Sequence, residues 1–244
     1  METYRVRCNR ILGMTSNPPN FANIYEELFR YYGDLGWWPA ETKDEIVIGA
    51  ILTQNTSWKN VEKAIANLKS HGITKLEDVC KIEKNEIAKL IRSSGFYNQK
   101  AERLKAVSCL IVGEFNGIDR IKDIDAFAER LKSIKGIGQE TLNSILLYAL
   151  DAPVFVIDKY TVRFLERYSS FDEVDSIKKS VEEQLADVKL MQNFHAMIVQ
   201  LSKDFCRKEP ICMKCPLKAC STGQRVRKEL YSNNSMDPYG SNKV

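Results

Sequence analysis

The chain has 244 residues, 44% of them hydrophobic, and a formal net charge of only +4. That length and apolar content allow one large packed domain or two small ones, and the charge alone is too small to nominate a nucleic-acid partner. Neither a signal peptide nor a long apolar span is present, which argues against a membrane partner and predicts a soluble, cytoplasmic protein. Seven cysteines in such a compartment argue against a disulfide framework.

Residues 1–20 are polar, with Cys8 and a Pro18-Pro19 pair, and read as a flexible leader. From Phe21, the residues Ile24, Leu28 and Tyr32 recur at helical spacing until Gly33 stops them. A loop follows, Gly36-Trp37-Trp38-Pro39-Ala40. Two adjacent indoles cannot both face one core, so at least one is expected to line a cleft. Glu45 to Gln54 is nearly all apolar, the pattern of a helix enclosed in a bundle. Thr56 is placed to cap the next helix, whose stripe is Trp58, Val61, Ile65 and Leu68. Further helices are predicted near 75–81, 84–93, 98–113, 124–133, 140–150, 159–168, 175–186 and 188–204, punctuated by Gly72, Gly95 and Gly117. Period-two alternation is nowhere sustained, so the fold class is all-α. Residues 221–244, rich in Ser, Asn and charge, read as a flexible tail.

Three local features carry chemistry. The first is Ile134-Lys135-Gly136-Ile137-Gly138-Gln139, which joins two helices through two closely spaced glycines. Such a turn points amide N–H groups outward beside a helix N-terminus and suits a phosphate, although glycines also serve ordinary helix–helix turns. The second is Asp158, closing the apolar run Val154-Phe155-Val156-Ile157. An aspartate there is either a catalytic carboxylate or the N-cap of the helix that follows. The third is Cys206, Cys212, Cys215 and Cys220, four thiols within fifteen residues. A tetrathiolate site of this kind binds a [4Fe–4S] cluster or zinc. Around it, residues 203–228 hold eight Lys or Arg against Asp204 and Glu209, which suggests a local anionic partner.

Lys135-Gly136-Ile137-Gly138-Gln139-Glu140-Thr141, followed downstream by Val156-Ile157-Asp158, resembles the helix-hairpin-helix, Gly/Pro-rich loop and aspartate of the endonuclease III superfamily of DNA glycosylases, HhH-GPD. The resemblance runs from roughly Phe21 to Cys220. It implies a two-domain helical fold, with residues 42–152 forming a six-helix domain. Residues 21–41 and 153–220 would form a discontinuous second domain that carries the cluster. Each outer gap of the cysteine motif is one residue shorter than the family's usual spacing, and the resemblance favours iron–sulfur over zinc. The implied partner is double-stranded DNA containing a damaged base, bound by a monomer.

The same resemblance assigns Asp158 as the catalytic carboxylate and a lysine at the position of Glu140 in members that form a Schiff base. Glu140 cannot be an amine nucleophile, so a monofunctional glycosylase is expected. Trp37-Trp38-Pro39, followed by Ile51-Leu52-Thr53-Gln54-Asn55-Thr56 and Trp58, resembles the branch related to 3-methyladenine DNA glycosylase III. A base pocket of Trp37, Trp38, Pro39, Trp58 and Glu140 would suit a cationic alkylated purine. Gln54, with Asn55 beside it, would enter the gap left by the flipped nucleotide. Lys135, Gly136, Gly138, Arg207 and Lys208 would meet the phosphates. His195 reads as a packed or phosphate-adjacent residue rather than a base. The rival readings are a bifunctional endonuclease III acting on oxidised pyrimidines, a mismatch thymine glycosylase, and a non-catalytic DNA-binding iron–sulfur module.

Overall fold

Asn20 opens the first helix by accepting the Asn23 N–H at 3.0 Å, and Phe21, Ile24 and Leu28 turn one face of it inward. The computed structural model describes residues 18–168 and 174–234. Most of the expected leader, and residues 235–244 of the expected tail, lie outside that range. Among the described residues there are twelve α-helices and no strand. They are α1 (Phe21–Tyr32), α2 (Lys43–Leu52), α3 (Trp58–Ser70), α4 (Leu76–Lys81), α5 (Lys84–Leu90), α6 (Tyr97–Phe115), α7 (Ile124–Lys132), α8 (Gln139–Ala149), α9 (Lys159–Tyr168), α10 (Val174–Gln184), α11 (Val188–Asp204) and α12 (Ser221–Asn234). None is long and apolar enough to cross a membrane.

The helices gather around two apolar cores. The first is built from α2 to α8, with Val47, Ile51, Leu52, Val61, Leu104 and Ile145 fully buried. The second takes α1, the segment 155–156 and helices α9 to α11, centred on Phe21, Leu28, Phe155, Phe194 and Met197. Helix α8 belongs to both. Leu142, Ile145, Leu146 and Ala149 face the first core, while Leu147 and Tyr148 face the second, so its residues 141–149 are buried without interruption. Each large aliphatic there contributes about 1.5–3 kcal/mol by leaving water, and Ile145→Ala would cost about 2–5 kcal/mol. Trp38, Ile46 and Val154 pack against both cores and mark the junction.

Four expectations need correction. The N-cap of α3 is Ser57, whose carbonyl accepts the Asn60 and Val61 N–H groups; Thr56 instead accepts from the Asn60 side chain at 3.2 Å. The helix expected over 84–93 ends at Leu90 and continues as a 3₁₀ turn, Arg92–Ser94, which Gly95 closes at φ +68°. Cys80 and Cys109 form a disulfide, because packing of α4 on α6 brings their Cα atoms within 4.9 Å. Residues 221–234 are helical rather than a flexible tail. Helix α12 packs against α9, and its Arg227 donates to the Cys212 carbonyl at 3.2 Å and the Lys218 carbonyl at 2.6 Å.

Candidate active site

Asp158 is delivered by an extended segment pinned on both sides. The Phe155 N–H donates to Glu182 Oε1 at 2.7 Å, and the Phe155 carbonyl accepts from Asn143 Nδ2 at 3.2 Å. One carboxylate oxygen of Asp158 then starts α9: Oδ1 accepts the N–H of Thr161 at 2.7 Å and of Tyr160 at 3.0 Å. The cap and the candidate catalyst are thus one residue using different oxygens. The second oxygen, Oδ2, stands 3.8 Å from His195 Nε2, ion-pair range rather than a formed hydrogen bond. Asp158 is 9% exposed. Burial pushes its pKa up, but the adjacent His195 and the Thr161 amide outweigh that, and the net shift is downward.

His195, read from the sequence as packed or phosphate-adjacent, is buried on α11, but its flanking apolar residues gave no sign of its place beside Asp158. In the fold its ring sits between two polar neighbours: Nδ1 lies 2.7 Å from the Tyr148 hydroxyl, and Nε2 faces Asp158. Tyr148 in turn lies 5.2 Å from the Trp38 ring, and Trp38 lies 5.4 Å from Trp58 and 5.7 Å from Trp37. A continuous line of contacts therefore runs from the three indoles to the carboxylate. Trp37 and Trp38 are both half-buried, and their indole N–H groups are enclosed without an acceptor. Gly49 lets Trp38 lie against α2: a Cβ there would be 3.0 Å from Trp38 Nε1. The Lys203 ammonium sits 5.6 Å from the Trp37 ring centre, a contact that shows this face receiving a cation. Pro39 is exposed on the turn closed by the Ala40 N–H donating to the Trp38 carbonyl.

Glu140 lies in the first turn of α8 and is open to solvent. Enclosing protein nonetheless raises its pKa, and the Asp158 charge raises it further while His195 and Lys159 pull it down. The charge interaction with Asp158 places Glu140 near that carboxylate on an accessible face of the protein.

The hairpin and Gln54 meet directly. Gln54 Nε2 donates to the Gly136 carbonyl at 3.2 Å and to Thr141 Oγ1 at 2.9 Å, and Arg103 Nη1 donates to Gln54 Oε1 at 2.6 Å. Asn55 beside it is exposed in the left-handed region, φ 54°. Lys135, Gly136 and Gly138 are exposed, and no side chain caps the first amides of α8, which leaves those donors open to an anion. Arg207 and Lys208 stand elsewhere, on the cysteine loop. Arg207 Nε is committed to the carbonyls of Lys203 and Asp204 at the end of α11, while Lys208 is exposed.

Cys206, Cys212, Cys215 and Cys220 line one small cavity of about 30 Å³ together with Phe164, Leu201 and Leu217. Burial raises the Cys215 thiol to about 11, with the charges of the other three cysteines adding to it, and Cys220 moves the same way. Thiolates that destabilise one another in an apolar cavity call for a cationic centre, so the donor set fits a metal cluster. Among the described residues, no three His, Cys, Asp or Glu side chains converge on a single ion. Arg167 ties the loop down, with Nη1 3.3 Å from Cys206 Sγ and donating to the Arg207 carbonyl at 2.5 Å.

Residues 48–189 match the model of the HhH-GPD superfamily base excision DNA repair proteins. A protein of Methanocaldococcus jannaschii carrying the name of a DNA repair glycosylase is 45% identical over 203 residues, covering 80% of this chain and 92% of its own. Endonuclease III of Thermotoga maritima is 27% identical over 180 residues, covering 71% of this chain and 79% of its own. The crystal structure of H. pylori 3-methyladenine DNA glycosylase bound to 1,N6-ethenoadenine superposes with a TM-score of 0.64 at 32% identity, covering 75% of this chain and 95% of that one. With the helical fold, the hairpin and the aspartate in place, the chain belongs to the HhH-GPD superfamily and is a DNA glycosylase of base excision repair.

Proposed function

We propose that this glycosylase is monofunctional and hydrolyses the N-glycosidic bond of a flipped, alkylated purine such as 3-methyladenine in double-stranded DNA. The observation that carries this reading is the line of contacts from Trp58, Trp38 and Tyr148 to His195 and Asp158, with Glu140 beside it. Electron-rich indole faces favour a cationic base, and the Lys203 contact with Trp37 illustrates the attraction. The similar H. pylori protein is a 3-methyladenine glycosylase whose structure holds 1,N6-ethenoadenine. As the base leaves, positive charge builds on the sugar, and Asp158 Oδ2, the oxygen not used by the helix cap, stabilises it and orients water. Glu140 supplies no amine, so no Schiff base forms at that position. Gln54, held by the hairpin, enters the gap that the flipped nucleotide leaves, and the open amides at Gly138 receive a phosphate.

Cys206, Cys212, Cys215 and Cys220 would hold a [4Fe–4S] cluster, whose contribution is structural: it shapes the loop bearing Lys208. A purified protein that is colourless and contains zinc would contradict that assignment.

The test is free-base release from methylated duplex DNA, resolved by chromatography, with borohydride in a parallel sample. Release of 3-methyladenine without a trapped protein–DNA adduct is expected. A trapped adduct would show that another amine attacks C1′ and would overturn the monofunctional reading.

A further inference from the structure

Asp158 has one committed oxygen and one free one, and the free one faces a buried ring nitrogen. Oδ1 accepts two amide protons of the α9 cap, whereas Oδ2 has His195 Nε2 at 3.8 Å. His195 is 5% exposed, and its Nε2 is closed to solvent with no partner. An unpaired polar atom so placed is costly and calls for an explanation. The other side of the ring supplies one. The Tyr148 hydroxyl donates to the Gln192 carbonyl at 3.1 Å, and a carbonyl can only accept. With its proton directed there, the Tyr148 oxygen accepts from His195 Nδ1–H at 2.7 Å. A bare Nε2, itself closed to solvent, would then face Asp158 lone pair to lone pair. A proton on Nε2 turns that repulsion into donation.

We propose that His195, braced by Tyr148, is the positioning residue of Asp158: its Nε2–H donates to Oδ2 and aims that oxygen at the sugar of the flipped nucleotide. The inference rests on the reading of Asp158 as the catalytic carboxylate. The remaining gap closes with a shift of about 1 Å, within side-chain adjustment on substrate binding. The reason such a group is needed lies in the burial of Asp158. A carboxylate in the second core would otherwise take up a proton, and a neutral acid cannot stabilise a cationic sugar. The charged and titratable groups around the ring come from three elements: Tyr148 and Glu140 on α8, Asp158 ahead of α9, and Lys159 at its start. Of these, Glu140 adds a second negative charge that works against ionisation of Asp158, and His195 opposes it.

The experiment is single-turnover base release as a function of pH, on a duplex that the wild type processes. It compares His195→Leu, His195→Gln, Tyr148→Phe and Asp158→Asn, with melting curves and DNA affinity for each. His195→Leu is expected to slow release about ten- to a hundredfold, the worth of a hydrogen bond to a charged group, with DNA affinity unchanged. Its acid limb should move to higher pH, His195→Gln should recover most of the rate, and Tyr148→Phe should fall between. An unmoved acid limb, a loss confined to DNA affinity, or a Gln variant no better than Leu would overturn the proposal. The chain has only two histidines, so imidazole ¹⁵N spectra of the wild type and Asp158→Asn read the same contact even where a core variant misfolds. A proton bound at His195 Nε2 that Asp158→Asn loosens is expected; no proton there would refute the donation. If Asp158→Asn still releases base, the reading of Asp158 fails, while the spectra report separately on the His195 contact.

Discussion

Arg103 lies across Gly136: a Cβ added at Gly136 would stand 2.0 Å from Arg103 Nε, and the glycine itself holds φ +91°. The guanidinium cannot swing away freely, because it also donates to Gln54, which holds the hairpin. Gly136→Ala therefore combines left-handed backbone strain with loss of the Arg103–Gln54 bond, about 2–3 kcal/mol in all. Denaturant melting should show that loss, and adding Arg103→Ala should return only the steric part. Gly138 is different, with φ −90° and nothing within 4 Å of its added Cβ. Gly138→Ala should melt within about 0.5 kcal/mol of wild type yet weaken DNA binding, since the methyl crowds the approach to the open amides of α8.

Lys100 is 1% exposed and donates to the carbonyls of Leu52 at 2.8 Å and Ser94 at 2.6 Å, joining the end of α2 to the 3₁₀ turn. Burial, followed by the Arg103 charge, lowers its pKa to about 8. Between pH 8 and the unfolded lysine value near 10.4, the unfolded chain binds more protons than the folded one, so this group makes stability rise with pH. Lys100→Met should destabilise the protein by leaving two carbonyls unpaired. The wild-type advantage over the variant should widen as pH is raised from 8 to 10, measured by denaturant titration at each pH.

Glu140 occupies the first turn of α8, coupled to Asp158. Placing an amine there should create what the native residue lacks. Glu140→Lys is expected to yield a borohydride-trapped adduct on DNA that the wild type does not give, read as a band shift on a denaturing gel. The Asp158 charge that raises the Glu140 pKa should also be visible in reverse, with Asp158→Asn lowering it.

Helical periodicity and glycine punctuation placed most elements within a few residues. Ile24 and Leu28 marked the buried face of α1, the apolar run Ile46–Leu52 marked α2 as a core helix, and Leu142, Ile145, Leu146 and Ala149 marked the α8 face toward the first core. The site was legible where its residues are contiguous, as in the hairpin and the cysteine loop. It was not legible where packing assembles it. Tyr148, Asp158 and His195 are separated along the chain and meet only because α8, α9 and α11 enclose the second core. The Cys80–Cys109 pairing likewise depends on how α4 lies on α6, which spacing does not encode. Helix α12 escaped notice because its composition is polar, and its order comes from Arg227 gripping the cysteine loop. Gln54 was anticipated at the DNA gap from resemblance, but its bonds to Gly136 and Thr141 were not visible in any local pattern.

The central claim is that Asp158 drives base loss through Oδ2 while Oδ1 serves the helix cap. Its lowered pKa keeps it ionised at neutral pH; the stability it lends is present above the unfolded carboxylate value and is lost as pH falls through the folded one. The most direct measurement is single-turnover release of 3-methyladenine from methylated duplex by wild type and Asp158→Asn, with melting curves of both. Asparagine can still accept the Tyr160 and Thr161 amides, so the variant should lose only the stability lent by the charge and should still melt as a folded protein. Its rate should fall by about 10²–10³. Release that survives the substitution in a folded variant would contradict the account.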